Sequence, residues 1–138
     1  MMAVKFNATS SFRPGLWSAI EAKILPAVAA AVEEGAGAVR DFARDIVPVD
    51  TGRLLMSIRP EVEIVGQRVT GYVVAGMEYA AYVEFGTGAR GAGSAGAGPF
   101  NYRMDWPGMS AQPYLRPALD MARPNVLDAF RSRGFQVA

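Results

Sequence analysis

Residues 61–76 (EVEIVGQRVTGYVVAG) change the period of the apolar side chains from helical to two. Val62 and Ile64 alternate with glutamates, which is typical of a strand with one buried and one solvated face. Gly66 begins a turn, and a second apolar run starts at Val69. The stretch therefore predicts an antiparallel β-hairpin.

Helical periodicity lies on both sides of this hairpin. Apolar residues recur at steps of three, four or seven over about 16–46 and again over about 112–133. Pro48 ends the first segment, and Asp50 is suited to cap a short helix that runs through Ile58. The order predicts an α+β fold, in which an antiparallel sheet is packed by a long N-terminal helix, a short helix and a C-terminal helix.

Two segments lack a pattern that would build a core. Residues 1–13 are predicted to be a flexible N-terminal arm, and residues 14–138 a single domain. Residues 86–98 (GTGARGAGSAGAG) are rich in glycine, and each glycine raises the entropic cost of ordering the chain. We expect a mobile glycine-rich loop there.

The composition excludes several kinds of catalytic site. The chain has no histidine and no cysteine, and so offers no histidine acid–base pair, no thiolate nucleophile and no His or Cys metal ligand. A net charge of +1 gives no bulk attraction to nucleic acid or membranes. No apolar run approaches the roughly 18 residues of a membrane span, and the N-terminus lacks the core of a signal peptide. We expect a soluble, unexported protein.

Glutamate pairs are the remaining candidates for catalysis, in a small carboxylate-dependent hydrolase. The hairpin glutamates Glu61 and Glu63 are better explained as the solvated face of a strand. Glu78 and Glu84 form the second pair, but Glu84 is suited to an ion pair with an arginine such as Arg53 or Arg116. The structural explanation is favoured for both pairs.

Glycines and aromatic residues suggest two binding functions. Residues 86–91 match the dinucleotide pattern G-x-G-x-x-G, but more glycine follows where that motif needs a helix, which argues against a nucleotide site. Aromatic residues interleaved with arginines in the second half of the chain would suit a DNA-binding accessory module that stacks bases. A core or a subunit interface explains the same enrichment and is favoured.

Three stretches, in this order, resemble a known family. They are residues 47–54 (VPVDTGRL) with Ser57-Ile58, residues 79–87 (YAAYVEFGT) and residues 112–118 (QPYLRPA). Together they are similar to small tailed-phage and prophage proteins of the head–tail junction, variously labelled tail-completion, tail-terminator, neck or minor tail components. The likeness spans about residues 16–133, and the chain departs from the usual pattern in the glycine content of residues 86–98.

The resemblance implies a structural protein of the virion, assembled in the host cytoplasm, with no catalytic residue, cofactor or metal. Proteins of this kind form rings, generally sixfold, that cap the tail tube and join it to the head connector. The implied partners are further copies of the chain, the head connector or stopper, and the tail tube proteins. Genomic double-stranded DNA would pass through the lumen without sequence-specific binding, and no membrane is involved.

The resemblance also implies structural roles for motif residues. The structural and interface candidates are Asp50, Thr51, Gly52, Arg53, Tyr79, Tyr82, Glu84, Phe85, Gly86, Gln112, Pro113, Arg116 and Pro117. In the first stretch the aspartate and threonine are expected to cap the short helix, Gly52 to permit a close approach, and Arg53 to pair with Glu84.

The other two stretches are given packing roles. The spacing of Tyr79 and Tyr82 favours a helical turn, closed by Gly86, over a third strand. The two tyrosines and Phe85 are expected to pack the sheet against the helices. Gln112 and the two prolines of the third stretch are expected to fix the direction in which the last helix leaves.

Overall fold

The computed structural model describes residues 1–9 and 18–136, and of residues 18–22 it describes the backbone only. Its elements are β1 (Met2–Thr9), α1 (Ser18–Ile46), α2 (Arg53–Ser57), β2 (Ile58–Val65), β3 (Arg68–Ala75), α3 (Ala80–Phe85), α4 (Gly88–Ala92) and α5 (Leu115–Arg131). A three-stranded antiparallel sheet is packed on one face by α1 and α5. The predicted α+β class is confirmed. None of the helices in the described part of the chain has the length and apolar character to cross a bilayer.

The sheet has the order β1-β3-β2, with the predicted hairpin forming its β2–β3 half. The three strands end flush. At one end Ala75 of β3 lies between Met2 and Ile58, and at the other end Arg68 pairs with the last residue of each neighbour. Both outer strands run antiparallel to β3 and therefore parallel to each other.

The expectation of an N-terminal arm is wrong for residues 2–9, which form edge strand β1. Val4 is buried and Phe6 packs against the core, while the intervening Lys5 is exposed. The alternation of buried and exposed side chains covers only eight residues, and the partner strand lies about 60 to 70 residues further along the chain. Residues 10–13 of the expected arm lie outside the described residues.

Helix α1 is continuous across Pro26 and provides the largest part of the core. Val32, Val39 and Ala43 are fully buried against the sheet and α5. Gly35 has a packing reason, because a Cβ there would lie 3.1 Å from the Phe6 ring and 3.2 Å from Val126. The helix therefore sits close to both β1 and α5.

The glycine-rich segment contains helix α4 instead of a loop without structure. The N–H groups of Ala89 and Arg90 donate to the carbonyls of Trp106 and Pro107, at 2.9 and 2.8 Å. Gly91 is buried, and a Cβ there would lie 2.7 Å from the carbonyl carbon of Gly86. Glycine here permits close packing of the backbone. A glycine-rich composition is compatible both with such packing and with a flexible loop, and so does not distinguish them.

Candidate functional site

The three sequence stretches that carry the family resemblance meet on one side of the molecule. Their residues line a shallow cavity of about 380 Å³ between the 48–54 segment, α3 and the residues before α5. The backbone N–H of Gln112 donates to the Val83 carbonyl at 2.8 Å, which ties the third stretch to α3. We call this region the motif surface.

Glu84 lies beneath this surface with no exposed area. Its Oε2 accepts hydrogen bonds from the N–H groups of Tyr114 and Leu115, at 2.8 and 2.9 Å. Its Oε1 accepts from the backbone N–H of Arg116 at 3.0 Å. The N-terminal turn of a helix has N–H groups without intrahelical partners and a partial positive charge, and one carboxylate satisfies both here. Glu84 thus fixes the start of α5 against α3.

Arg116 completes this set of hydrogen bonds to Glu84, which we call the Glu84 lock. Its Nε donates to Glu84 Oε1 at 2.9 Å, and its Nη2 donates to the carbonyls of Glu84 and Gly96, at 3.2 and 2.8 Å. The guanidinium carbon lies 4.3 Å from the centre of the Phe85 ring, a cation–π contact. Of the two arginines suggested for Glu84, Arg116 is the partner. The pairing with Arg53 is wrong, since Arg53 is exposed and has no ion pair within the described residues.

Tyr114 is the largest fully buried side chain of the site. Its hydroxyl donates to the Ala80 carbonyl at 3.1 Å, a second link between α3 and the start of α5. Burial, together with the nearby negative charge of Glu84, raises the pKa of the Tyr114 phenol far above its ordinary value of 10.0. The phenol therefore stays neutral at any physiological pH.

The expected capping of the short helix is wrong in detail. Helix α2 begins after Gly52, whose φ of +83° is the left-handed conformation that favours glycine. Nothing lies within 4 Å of a Cβ built there, so backbone conformation and not a close approach explains this glycine. Asp50 makes no capping bond to α2, while Thr51 Oγ1 accepts a long hydrogen bond from the Arg53 N–H at 3.4 Å.

The second stretch forms helix α3, so the helical interpretation is confirmed. Gly86 ends it with φ +77°, and a Cβ there would lie 2.6 Å from the Ala111 nitrogen. Two packing predictions are wrong, because Tyr79 is exposed and Tyr82 is 60% exposed. Tyr79 is the N-cap residue of α3 and Tyr82 lies within the helix, and both are on its exposed side, whereas Ala80 and Glu84 are buried. Helical spacing identified the element without identifying its buried face.

The third stretch lies at the start of α5. Pro113 packs against Gly96, where a Cβ would lie 2.6 Å from its Cγ. Pro117 lies in the first turn of α5, where a missing N–H costs little. With the Gln112 bond to α3, these contacts set the point and direction at which α5 begins.

A family model described as "Bacteriophage HK97-gp10, putative tail-component" matches residues 18–86, half of the chain. The chain belongs to this HK97-gp10-like family of phage tail components. The matched region contains the first stretch of the motif surface and all but the last residue of the second, and the third lies beyond it. No curated protein and no solved structure gives a significant match.

This tail component has a second recess beside the motif surface, which sequence reasoning did not locate. A cleft of about 680 Å³ is lined by aromatic residues of α3 and of the segment before α5, with Tyr82 shared between the two surfaces. Phe85 and Phe100 pack edge to face with ring centres 4.9 Å apart. The Tyr102 hydroxyl donates to the Phe85 carbonyl and accepts from the Gly98 N–H, both at 2.8 Å. We call it the aromatic cleft.

The glutamates considered for hydrolysis are placed differently from an acid–base pair. Glu84 is enclosed, and its oxygens are occupied by backbone and arginine donors. Glu61 forms an exposed ion pair with Arg59 at 3.1 Å. Glu63 accepts a hydrogen bond from Tyr72 at 3.0 Å, which raises the pKa of that phenol. Within the described ranges, acidic side chains form no group of three or more that would hold a metal ion.

Proposed function

We propose that this chain is a structural protein of the phage virion that forms a ring at the head–tail junction. In this role it completes or terminates the tail and joins it to the head connector. The proposal rests on membership of a phage tail-component family. It is also supported by the Glu84 lock. The carboxylate that could most easily have served in catalysis is buried, and its oxygens hold the start of α5 in place.

The exposed side chains of the motif surface also support an assembly role. Val49, Tyr79 and Tyr82 are large and exposed, and Phe100 and Trp106 of the aromatic cleft are about half exposed. Apolar residues clustered on a surface are typical of protein–protein contact sites. We infer that these two surfaces contact other copies of the chain, the head connector or the tail tube proteins.

The charge pattern favours passage of genomic DNA through such a ring over tight binding to it. Several surface arginines are paired with acidic side chains. These pairs are Arg40–Asp41, Arg59–Glu61, Arg103–Asp105, Arg131–Asp128 and Arg133–Glu34. Paired cations release few counterions on contact with phosphate and so add little affinity. A non-specific lumen is therefore favoured over the alternative of a DNA-binding accessory module.

The test is a deletion of the gene from the phage, with complementation in trans. We expect the deletion to yield DNA-filled heads and separate tails, and purified wild-type particles to contain the chain at the neck when labelled for electron microscopy. Particles that lack the polypeptide would overturn the proposal. A steep fall of DNA affinity with salt would instead support the DNA-binding module, and turnover of a small molecule by the pure protein would support an enzyme.

A further inference from the structure

The sheet has two outer strands, and each has one side without a partner strand among the described residues. Both strands are eight residues long, flush with β3 and parallel to each other. Unpaired N–H and C=O groups on a strand edge will accept a further strand unless something blocks them. The two edges of this sheet differ in how they are blocked.

The first half of the β2 edge is closed. The Ile58 carbonyl accepts a hydrogen bond from Arg44 Nη2 at 2.7 Å, and the Ile58 N–H donates to the Leu55 carbonyl. Pro60 has no N–H, and proline in a sheet lies where its nitrogen faces away from the neighbouring strand. These features protect residues 58–60 from pairing with another chain.

Among the described residues, nothing covers the second half of the β2 edge. Val62 and Ile64 lie two and four residues beyond Pro60, so their backbone groups also point away from β3. Their side chains are on the helix-bearing face of the sheet, opposite Gly71 and Val69 of β3, yet they are 38% and 50% exposed. An edge with free backbone groups and exposed β-branched side chains is suited to strand addition.

The edge of β1 borders a recess instead. A cleft of about 680 Å³ lies between the second half of β1 and helix α5. Its apolar lining includes Phe6, Ala8, Leu119, Val126 and Phe130. We call it the β1 cleft. It would accept apolar side chains from a strand added next to β1, on the face of the sheet that carries the helices.

The open half of β2 and the β1 cleft lie at the same height along the sheet. Ala8 of β1 and Ile64 of β2 both pair with Val69, and Phe6 and Val62 both pair with Gly71, two residues away. The other face is complementary in charge, because β1 presents Lys5 where β2 presents glutamates at 61 and 63. One edge of the sheet therefore offers a strand for addition, the open half of β2, and the other edge offers a site of matching position and chemistry, the β1 cleft.

We propose that β2 of one copy adds in parallel to β1 of the next, with Val62 and Ile64 entering the β1 cleft. This inference rests on the proposed ring and names its subunit contact. The contact uses two different surfaces of the chain, and such head-to-tail contacts close into rings when the rotation allows. The sheet then continues from copy to copy, and the polar sheet faces all lie on the same side.

Disulfide trapping tests this contact without background, because the chain has no cysteine. Ala8→Cys and Ile64→Cys are combined in one chain, which complements the deleted gene before particles are oxidised. Neighbouring strands bring such positions within the 4.4–6.8 Å between Cα atoms that a disulfide requires. We expect a ladder of covalent multimers. The matched control pairs Ala8→Cys with Met56→Cys, a position that is 78% exposed and lies in α2, and should give none.

Mixing experiments and a charge variant sharpen the result. Chains with only one of the two cysteines, when mixed, should give dimers and no longer species. Ile64→Lys should weaken self-association at least about tenfold, because a charge replaces an apolar side chain in the contact, while Met56→Lys should not. Circular dichroism of both variants checks that the monomer remains folded.

The outcomes separate this contact from the proposed function. Particles that contain the chain at the neck but give no cross-link between positions 8 and 64 would overturn the contact and leave the proposed function standing. Cross-links within one chain only, or equal yields in the Met56 control, would overturn it as well. Particles without the chain would refute the proposed function and with it the contact.

Discussion

Glu84 Oε1 accepts two hydrogen bonds from one residue, the backbone N–H and the side-chain Nε of Arg116, at 3.0 and 2.9 Å. The backbone bond satisfies the start of α5, and the side-chain bond neutralises the buried carboxylate. One pair of residues therefore joins two stretches that lie about 30 positions apart in the chain. The stability of the motif surface depends on this pair.

Glu84→Gln should lower the free energy of unfolding by about 2–4 kcal/mol. The amide keeps one acceptor but places an NH2 group against N–H donors, and it leaves Arg116 without its countercharge. Urea denaturation followed by circular dichroism measures the change. Glu61→Gln is the matched control, because its ion pair with Arg59 is exposed, and it should shift stability by less than about 0.5 kcal/mol. Equal effects of the two substitutions would contradict the lock.

Arg116→Lys should cost about 1–2 kcal/mol, although the charge is conserved. Lysine has no planar group to stack on Phe85, and it lacks the two separate nitrogens with which Arg116 reaches Glu84 and Gly96. Arg53→Lys, at an exposed arginine in the neighbouring stretch, should change stability by less than about 0.5 kcal/mol. Thermal unfolding of the two variants measures the difference. A larger loss of stability in Arg53→Lys than in Arg116→Lys would support the pairing of Arg53 with Glu84 that was expected from sequence.

Gly108→Ala should destabilise the chain by at least about 2 kcal/mol. The residue has φ +62°, and an added Cβ would overlap the Thr87 carbonyl oxygen, which accepts a hydrogen bond from the Met109 N–H. Gly93→Ala is the control. Its φ is −85° and a Cβ would lie 3.5 Å from the nearest neighbour, so stability should be unchanged or higher by up to about 1 kcal/mol.

Hydrogen exchange on the wild type and on Gly108→Ala tests whether α4 is folded in the isolated protein. The amides of Ala89 and Arg90 should be protected in the wild type and exposed in Gly108→Ala, because they donate to the carbonyls of Trp106 and Pro107, within two residues of position 108. Rapid exchange at these amides in the wild type would return residues 86–98 to the mobile loop expected from composition.

The stability of the folded chain should fall as the pH rises above about 10. Below that value Tyr114 is protonated in both the folded and the unfolded state, and its contribution is fully present. Above it the unfolded chain releases the proton while burial holds the folded phenol neutral, because its folded pKa is raised. Unfolding free energies between pH 8 and 11.5 should show a smaller decline in Tyr114→Phe than in the wild type. Tyr82→Phe, at an exposed tyrosine, is the control and should follow the wild type.

Local patterns predicted the elements whose partners lie nearby in sequence. The hairpin at residues 61–76 forms β2 and β3, because alternation and the turn are both contained in that stretch. Helix α3 and its glycine end were also predicted, because the tyrosine spacing and Gly86 lie within eight residues. In each case short-range sequence information was enough.

Predictions failed where the deciding partner is remote. Residues 2–9 form a strand because β3 offers an edge, and nothing near Met2 indicates that edge. The glycines of α4 are close-packed because the 106–109 segment lies against them. Tyr82 is exposed because α3 turns Glu84 inward toward α5, a choice that the i, i+3 spacing leaves open.

The sequence by itself determined the class of the fold, the family and the absence of histidine and cysteine chemistry, since each follows from composition or from patterns over a few residues. Only the tertiary structure decided that Glu84 pairs with Arg116, that the N-terminal residues join the sheet, and that the two sheet edges present an open strand and a cleft at one height. These features arise from contacts between segments about 30 to 70 residues apart, and a free carboxylate or strand edge gives no local sign of the partner it will find.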